Sequence, residues 1–194
     1  MAGKMVVAVI VGSLREGSFN RKAAHALAGL APDTLDMRFV EIGDLPHYDE
    51  DAEKAGPPAE WARFREELGA AQAVLFVTPE YNRSVPGVLK NAIDVGSRPY
   101  GKSVWSGKPA AVMSVSPGAI GGFGANHHLR QSMVFLDMPV MQQPEAYIGE
   151  VHKVLDDQGR VTNDEARKLL QCFITTYADW VERFVSAEKK RSAA

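Results

Sequence analysis

The sequence predicts an α/β fold: one parallel sheet with helices on both faces. Three observations carry that expectation. Short apolar runs rich in β-branched residues recur along the chain, stretches of helical spacing separate them, and glycine or proline closes the clearest runs. The first run, residues 5–11 (MVVAVIV), holds no polar residue, as expected of a parallel strand buried on both faces. Connections in such a sheet cross over with a right hand, and ligands gather at the carboxyl ends of its strands.

Each element can be justified in turn. Residues 5–11 form a strand ended by Gly12, and Phe19, Ala23, Ala26, Leu27 and Leu30 follow at helical spacing over residues 18–30. Residues 36–42 (DMRFVEI) alternate in part and read as a second strand, whereas residues 43–58 are acidic, hold Pro46, Pro57 and Pro58, and read as loop. Trp61, Phe64 and Leu68 mark one helix face, and residues 73–77 (AVLFV) form the strongest strand, stopped by Pro79. A helix is expected over residues 85–96, with Ser84 as its cap and Pro86 in its first turn. Val85, Val88, Leu89, Ala92, Ile93 and Val95 give it more than one apolar face, which points to a partner subunit.

Residues 97–107 read as a polar loop and residues 110–115 as a strand. Gly118, Gly121, Gly122 and Gly124 make a turn into a helix over residues 125–136, and residues 139–141, or the run to Ile148, supply the last strand. An irregular connection with a turn at Asp157, Gln158 and Gly159 leads to a long helix from Thr162 to about Val185, opened by a capping box of Thr162 and Glu165. Leu169, Cys172, Phe173, Thr176, Tyr177, Trp180 and Phe184 line its apolar stripe, which makes Cys172 a small buried hydrophobe rather than a catalytic thiol. A single domain over residues 1–187 follows, with a frayed tail over 188–194.

Composition removes several classes of function. The 194 residues suffice for one domain with its own core. Lys and Arg number 22 against 24 Asp and Glu, and the net charge of −2 lacks the basic excess of a nucleic-acid binder. One cysteine forms no intramolecular disulfide framework and no all-cysteine zinc site. No apolar run approaches the roughly 20 residues needed to cross a bilayer, and residues 1–4 show no signal-peptide pattern, so a cytoplasmic protein without a membrane partner is expected. His127 and His128 are adjacent on a helix and point about 100° apart, which does not make a metal-ligand pair.

Three loops leave strand ends and carry unusual residues. In the first, Gly12 to Asn20, the helix N-terminus, Ser13, Ser18, Asn20 and Arg15 together make a phosphate cradle. It matches neither G-x-G-x-x-G nor a Walker A loop, and no G-x-S-x-G elbow activates a serine. The plain alternative is that Ser18 only caps a helix and Gly12 only ends a strand. In the second, Thr78 to Gly87, two prolines stiffen a loop whose tyrosine and asparagine suit a planar heterocycle; otherwise it is a connector with a surface tyrosine. In the third, Ser114 to Gly122, glycines permit close backbone approach to a ligand, or simply a flexible helix entry.

These residues resemble a known family. Gly-Ser-Leu-Arg-x-x-Ser-x-Asn (12–20), Thr-Pro-Glu-Tyr-Asn-x-Ser-x-Pro-Gly (78–87) with Leu-Lys-Asn-Ala-Ile-Asp (89–94), and Gly-Ala-Ile-Gly-Gly (118–122) with His-Leu-Arg-Gln (128–131) are similar, in order along the chain, to the NADPH-dependent FMN reductases, and most to their quinone and chromate reductases. The resemblance implies a flavodoxin-like three-layer sandwich, a five-stranded parallel sheet of order 2-1-3-4-5 with helices on both faces. It implies FMN as cofactor, with its phosphate on Ser13, Arg15, Ser18, Phe19 and Asn20, its ring edge on Pro79, Glu80, Tyr81 and Asn82, and its far side near Ser116, Pro117 and Gly118. Some relatives carry Arg and Tyr, in a tetramer-interface network, where this chain has Gly124 and His127; Arg130 and Glu145 are retained.

The implied activity is an oxidoreductase that takes hydride from NADPH or NADH and reduces quinones, flavins or metal oxyanions such as chromate by ping-pong transfer. No protein side chain serves as catalytic acid or base in the first half-reaction. The implied partners are small-molecule electron acceptors and further copies of the chain, as homodimer or homotetramer. The other readings are a flavodoxin-type electron carrier and an FMN-binding sensor; the balanced charge and the Ser/Arg/Asn loop favour the enzyme.

Overall fold

The computed structural model describes residues 3–192. Five strands, β1 (Met5–Val11), β2 (Leu35–Val40), β3 (Ala73–Thr78), β4 (Ala110–Val115) and β5 (Ala146–Ile148), form one sheet in the order β2-β1-β3-β4-β5. Every pair is parallel; Val9, for example, lies opposite Phe39 on one side and Leu75 on the other. This is the flavodoxin-like order, with its switch point between β1 and β3.

Strand alternation divides the core into two layers. Val7, Val9 and Val11 face one side with Leu75, Val77, Met113 and Val115, and α1 (Phe19–Ala28) and α6 (Asp164–Ser192) cover that side with Leu27, Phe173, Tyr177 and Val181. Ala8 and Ile10 face the other side with Val74, Phe76 and Val112. There α3 (Ala59–Ala70), α4 (Gly87–Gly96) and α5 (Phe123–Phe135) contribute Trp61, Phe64, Leu89, Ile93, Leu129 and Met133.

Several elements differ from the expectation, each for a local reason. The acidic 43–58 segment contains a short helix, α2 (Glu50–Ala55), because Asp49 caps it by accepting from the Asp51 N–H at 2.8 Å. Ser84 caps nothing: α4 starts at Gly87 after Pro86, and the Ser84 hydroxyl instead meets His128 Nδ1 at 2.9 Å. The helix expected over 125–136 begins at Phe123, and the last strand reduces to Ala146–Ile148, with Val140 making only an isolated bridge to Ala110. The Thr162/Glu165 capping box does not form. Asn163 Oδ1 accepts from the Ala166 N–H at 2.8 Å, and the Thr162 hydroxyl donates to the Lys153 carbonyl. Cys172 and Leu169 lie on the exposed side of α6, since Leu170, Phe173, Ile174, Tyr177 and Val181 set its buried stripe. That helix continues to residue 192 through the segment expected to fray, and residues 193–194 lie outside the description.

The two-faced apolar helix α4 is buried within its own subunit. Leu89, Ala92, Ile93 and Val95 are all in the core, and the segment read as a polar loop supplies the cover, Trp105. Its indole N–H donates to the Ile93 carbonyl at 3.0 Å, and the ring lies so close to Gly96 that a Cβ there would come within 2.6 Å of it. The second apolar face of α4 is thus largely covered within its own subunit, with Val88 and, just before the helix, Val85 left half-buried.

Candidate functional site

The carboxyl ends of β1, β3 and β4 open into one cavity of about 270 Å³. Ten of the twelve residues expected at the site line it: Ser13, Arg15, Ser18, Phe19 and Asn20 from the first loop, Pro79, Glu80 and Tyr81 from the second, and Ser116 and Pro117 from the third, joined by Val115. Asn82 and Gly118 stand outside the lining. Asn82 sits on the tip of a hairpin, and the Gly118 carbonyl is turned to the N–H groups of Gly121 and Glu150. A larger hollow, about 340 Å³, lies against Val6 and Ala8 of β1, the carboxyl end of β2 and the end of α3, and shares no lining residue with the three loops; its lining is largely apolar with Arg38, Glu66 and Glu67.

The first loop leaves β1 at Gly12, where a Cβ would sit 2.9 Å from Thr78 Oγ1 and 3.1 Å from Leu89; only glycine lets β1 and β3 close up here. Ser18 then caps α1, accepting from the Arg21 N–H at 3.3 Å, and the first turn of α1 holds no acidic residue. The first N–H groups of a helix have no partner inside it, and the macrodipole makes that end positive. Ser13 is buried, and neither its side chain nor that of the exposed Arg15 has a hydrogen-bond or ion-pair partner among the described residues. Donors and positive charge thus converge at one end of the cavity.

Asn20 joins the first loop to the third. Its Nδ2 donates to the Val115 carbonyl at 3.3 Å, and its buried Oδ1 has no partner among the described residues.

The second loop is a two-residue hairpin. Tyr81 and Ser84 exchange both backbone hydrogen bonds at 2.9 Å, and the central Asn82 and Arg83 have φ of +51° and +62°. Glu80 turns its carboxylate to α5, whose Gly122 has no side chain to cap it: Oε2 accepts from the Ala125 N–H at 3.0 Å. A carboxylate at that position both satisfies an orphan donor and meets the positive helix end. Gly124 permits this approach, since a Cβ there would lie 2.9 Å from Glu80 Oε2 and from the Arg83 carbonyl oxygen. The arginine that some relatives carry at this position therefore does not fit this backbone.

The third loop rests on buried polar groups. Asn126 donates to Ser114 Oγ at 3.2 Å and accepts from Arg130 Nε at 2.9 Å, and Arg130 Nη1 donates to the Met141 carbonyl at 2.9 Å. His127 Nε2 meets the Tyr147 hydroxyl at 2.9 Å beside the Phe123 ring. Burial, with the neighbouring Glu145 carboxylate, pushes the Tyr147 hydroxyl up to about 12, so it stays protonated at neutral pH.

The chain matches the profile of the NADPH-dependent FMN reductases over residues 5–153, most of its length. The chain belongs to that family. It is 66% identical over 176 residues to a quinone reductase of Pseudomonas putida, an alignment covering 91% of this chain and 94% of the relative. A 2-hydroxy-1,4-benzoquinone reductase of Burkholderia sp. is 49% identical over 175 residues, covering 90% of this chain and 95% of the other. Among solved structures, the flavoenzyme NAD(P)H:(acceptor) oxidoreductase FerB from Paracoccus denitrificans superposes with a TM-score of 0.88 at 43% identity, covering 93% of this chain and 98% of that one. As an NADPH-dependent FMN reductase the chain is an NAD(P)H-dependent oxidoreductase with FMN as its cofactor, which sets aside the electron-carrier and sensor readings.

Two features of this reductase site escaped the sequence. The capping role of Glu80 has no short-range signal, because its partner lies 45 residues away. The hairpin carried one readable sign, an asparagine at the first central position of a proline-bounded loop, where left-handed backbone is tolerated.

Proposed function

We propose that this enzyme uses FMN to pass electrons from NADPH or NADH to quinones, with flavins and metal oxyanions such as chromate as further acceptors, in a ping-pong sequence. The observation that carries the proposal is the donor set at one end of the cavity: Arg15 without a carboxylate partner, Ser13 without any, and the acid-free first turn of α1. That set fits a phosphate dianion and gives a reason for FMN at this position. Asn20, whose side chain also lines the cavity, completes the phosphate end of this set. Pro79, Tyr81 and Pro117 supply flat apolar walls for a ring system.

FMN, when bound, supplies the two-electron carrier, and the chain supplies position and electrostatics. Glu80 and Ser84 tie the second loop to α5 and Asn20 ties the first loop to the third, so the width of the slot is held by three long-range hydrogen bonds. Exposed apolar side chains on the three loops, Leu14, Tyr81 and Ile120, with Phe123 just beyond, suit a planar apolar acceptor such as a quinone. Nicotinamide and acceptor meeting at one mouth must alternate, which is the physical basis of the ping-pong order. A cytoplasmic location and a homodimer or homotetramer complete the proposal; among the described residues no helix is long and apolar enough to cross a membrane.

Stopped-flow mixing with NADPH or NADH in the absence of acceptor tests the reading. Rapid bleaching of bound flavin is expected, followed by full recolouring on adding a quinone. Flavin that stays oxidised until acceptor is present excludes the ping-pong order, and loss of the yellow colour on desalting after reconstitution with FMN excludes the cradle.

A further inference from the structure

We propose that Arg83 binds a phosphate group of the incoming pyridine nucleotide; this rests on the reductase reading above and goes on to assign a residue to the substrate.

Four charged side chains stand on the three loops of the site: Arg15, Glu16, Glu80 and Arg83. Arg15 lines the cavity and belongs to the cofactor cradle. Glu80 is committed to the N-terminus of α5. Arg83 is the remaining cation. Its side chain is 75% exposed, and its one ion pair among the described residues is a long 3.4 Å contact to Glu80 Oε1, a carboxylate whose other oxygen already serves the Ala125 N–H. A weakly engaged guanidinium at the rim is available to an anion that arrives after the cofactor is in place.

The backbone adds a second, independent observation. Arg83 occupies the second central position of a hairpin whose central residues both have positive φ, a position where glycine is the ordinary choice. An arginine with φ of +62° is held in a conformation that costs it stability, a cost that one long contact to Glu80 does little to offset. The turn presenting it is fixed: two backbone hydrogen bonds close the hairpin, Ser84 is tied to His128, and α5 packs against the Arg83 carbonyl at Gly124. The guanidinium is thus carried on a rigid tip next to Tyr81, which lines the cavity. In quinone reduction the nicotinamide dinucleotide carries phosphate and the quinone carries none, so in that reaction the phosphate-bearing substrate is the one Arg83 fits.

Arg83→Gly relieves the left-handed strain while deleting the cation, and Arg83→Lys keeps a charge without the planar fork. With the FMN-loaded enzyme and a neutral benzoquinone as acceptor, Arg83→Gly is expected to raise the nucleotide KM about tenfold at nearly constant kcat, the low end of the range for loss of one charge-assisted hydrogen bond. Arg83→Lys falls between. A rise confined to NADPH identifies the 2′-phosphate, and an equal rise for NADPH and NADH identifies the pyrophosphate. The quinone KM and the FMN dissociation constant stay at wild-type values, and Tm does not fall. Unchanged KM for both nucleotides overturns the assignment, as does a lowered Tm, which would make Arg83 a support for its loop. Failure of the reductase reading itself looks different, because the wild-type flavin would then not be bleached by either nucleotide.

Discussion

At the scale of single residues, the site turns on which polar atoms lack partners within the chain. Arg15 faces the cavity with no carboxylate beside it, and its charge is open to an anion. Arg15→Ala should weaken FMN binding by about 1.5–3 kcal/mol, the range for a hydrogen bond to a charged group. Riboflavin, which has the ring and ribityl chain without the phosphate, should bind wild type and variant alike. Parallel fluorescence titrations with the two flavins check this, and an equal loss for both would move the phosphate away from Arg15. Ten of the twelve residues expected at the site line one cavity because the first and third loops leave buried strands directly and Pro79 to Tyr81 follow β3 without a break. Asn82 lies outside that lining because a two-residue reversal after Tyr81 carries it out of the wall, and a run of residue types does not show a chain reversal that depends on φ at two positions.

At the scale of elements, period and composition found the strands and the helix faces, and the errors fall where a group distant in sequence decides the outcome. Trp105 closes the second face of α4 from a segment that reads as polar, and Asn163 displaces Thr162 as the cap of α6 because Thr162 is drawn to the Lys153 carbonyl. On α6, Cys172 falls one position off the buried stripe carried by Phe173 and Ile174. That same stripe holds Tyr177, fully buried, with a hydroxyl that has no hydrogen-bond partner among the described residues. Burial alone pushes its ionisation well above the ordinary tyrosine range. A buried hydroxyl left unpaired costs its desolvation without return, so Tyr177→Phe should stabilise the fold by about 1 kcal/mol. Urea unfolding reads this as a higher midpoint at unchanged slope; a lower midpoint would mean that the hydroxyl has a partner after all, such as a buried water.

For the whole molecule, the proposed homodimer or homotetramer needs a surface to assemble through. Family resemblance implies a dimer or tetramer, and α4, the helix whose sequence pointed to a partner, is consumed by its own core: Ala92 is 0% exposed. The apolar surface that stays open lies elsewhere. Tyr100, Val134 and Phe135 are 88%, 81% and 79% exposed, and Tyr100 and Phe135 border one hollow between the segment after α4 and the end of α5. Large apolar side chains gathered at one place on a surface mark an interaction site more often than scattered ones do. Closed two-fold assembly through this patch would bury it without touching the flavin loops, which sit at the opposite end of α4. Two substitutions separate the readings. Phe135→Asp should leave the fold and FMN binding intact and shift sedimentation toward the 21.1 kDa monomer. Ala92→Asp should instead destabilise the subunit itself by several kcal/mol, because it places an unpaired charge in the core. Sedimentation velocity at micromolar concentration, with the melting curve of each variant, checks both; an assembly that survives Phe135→Asp places the interface on another face of the molecule.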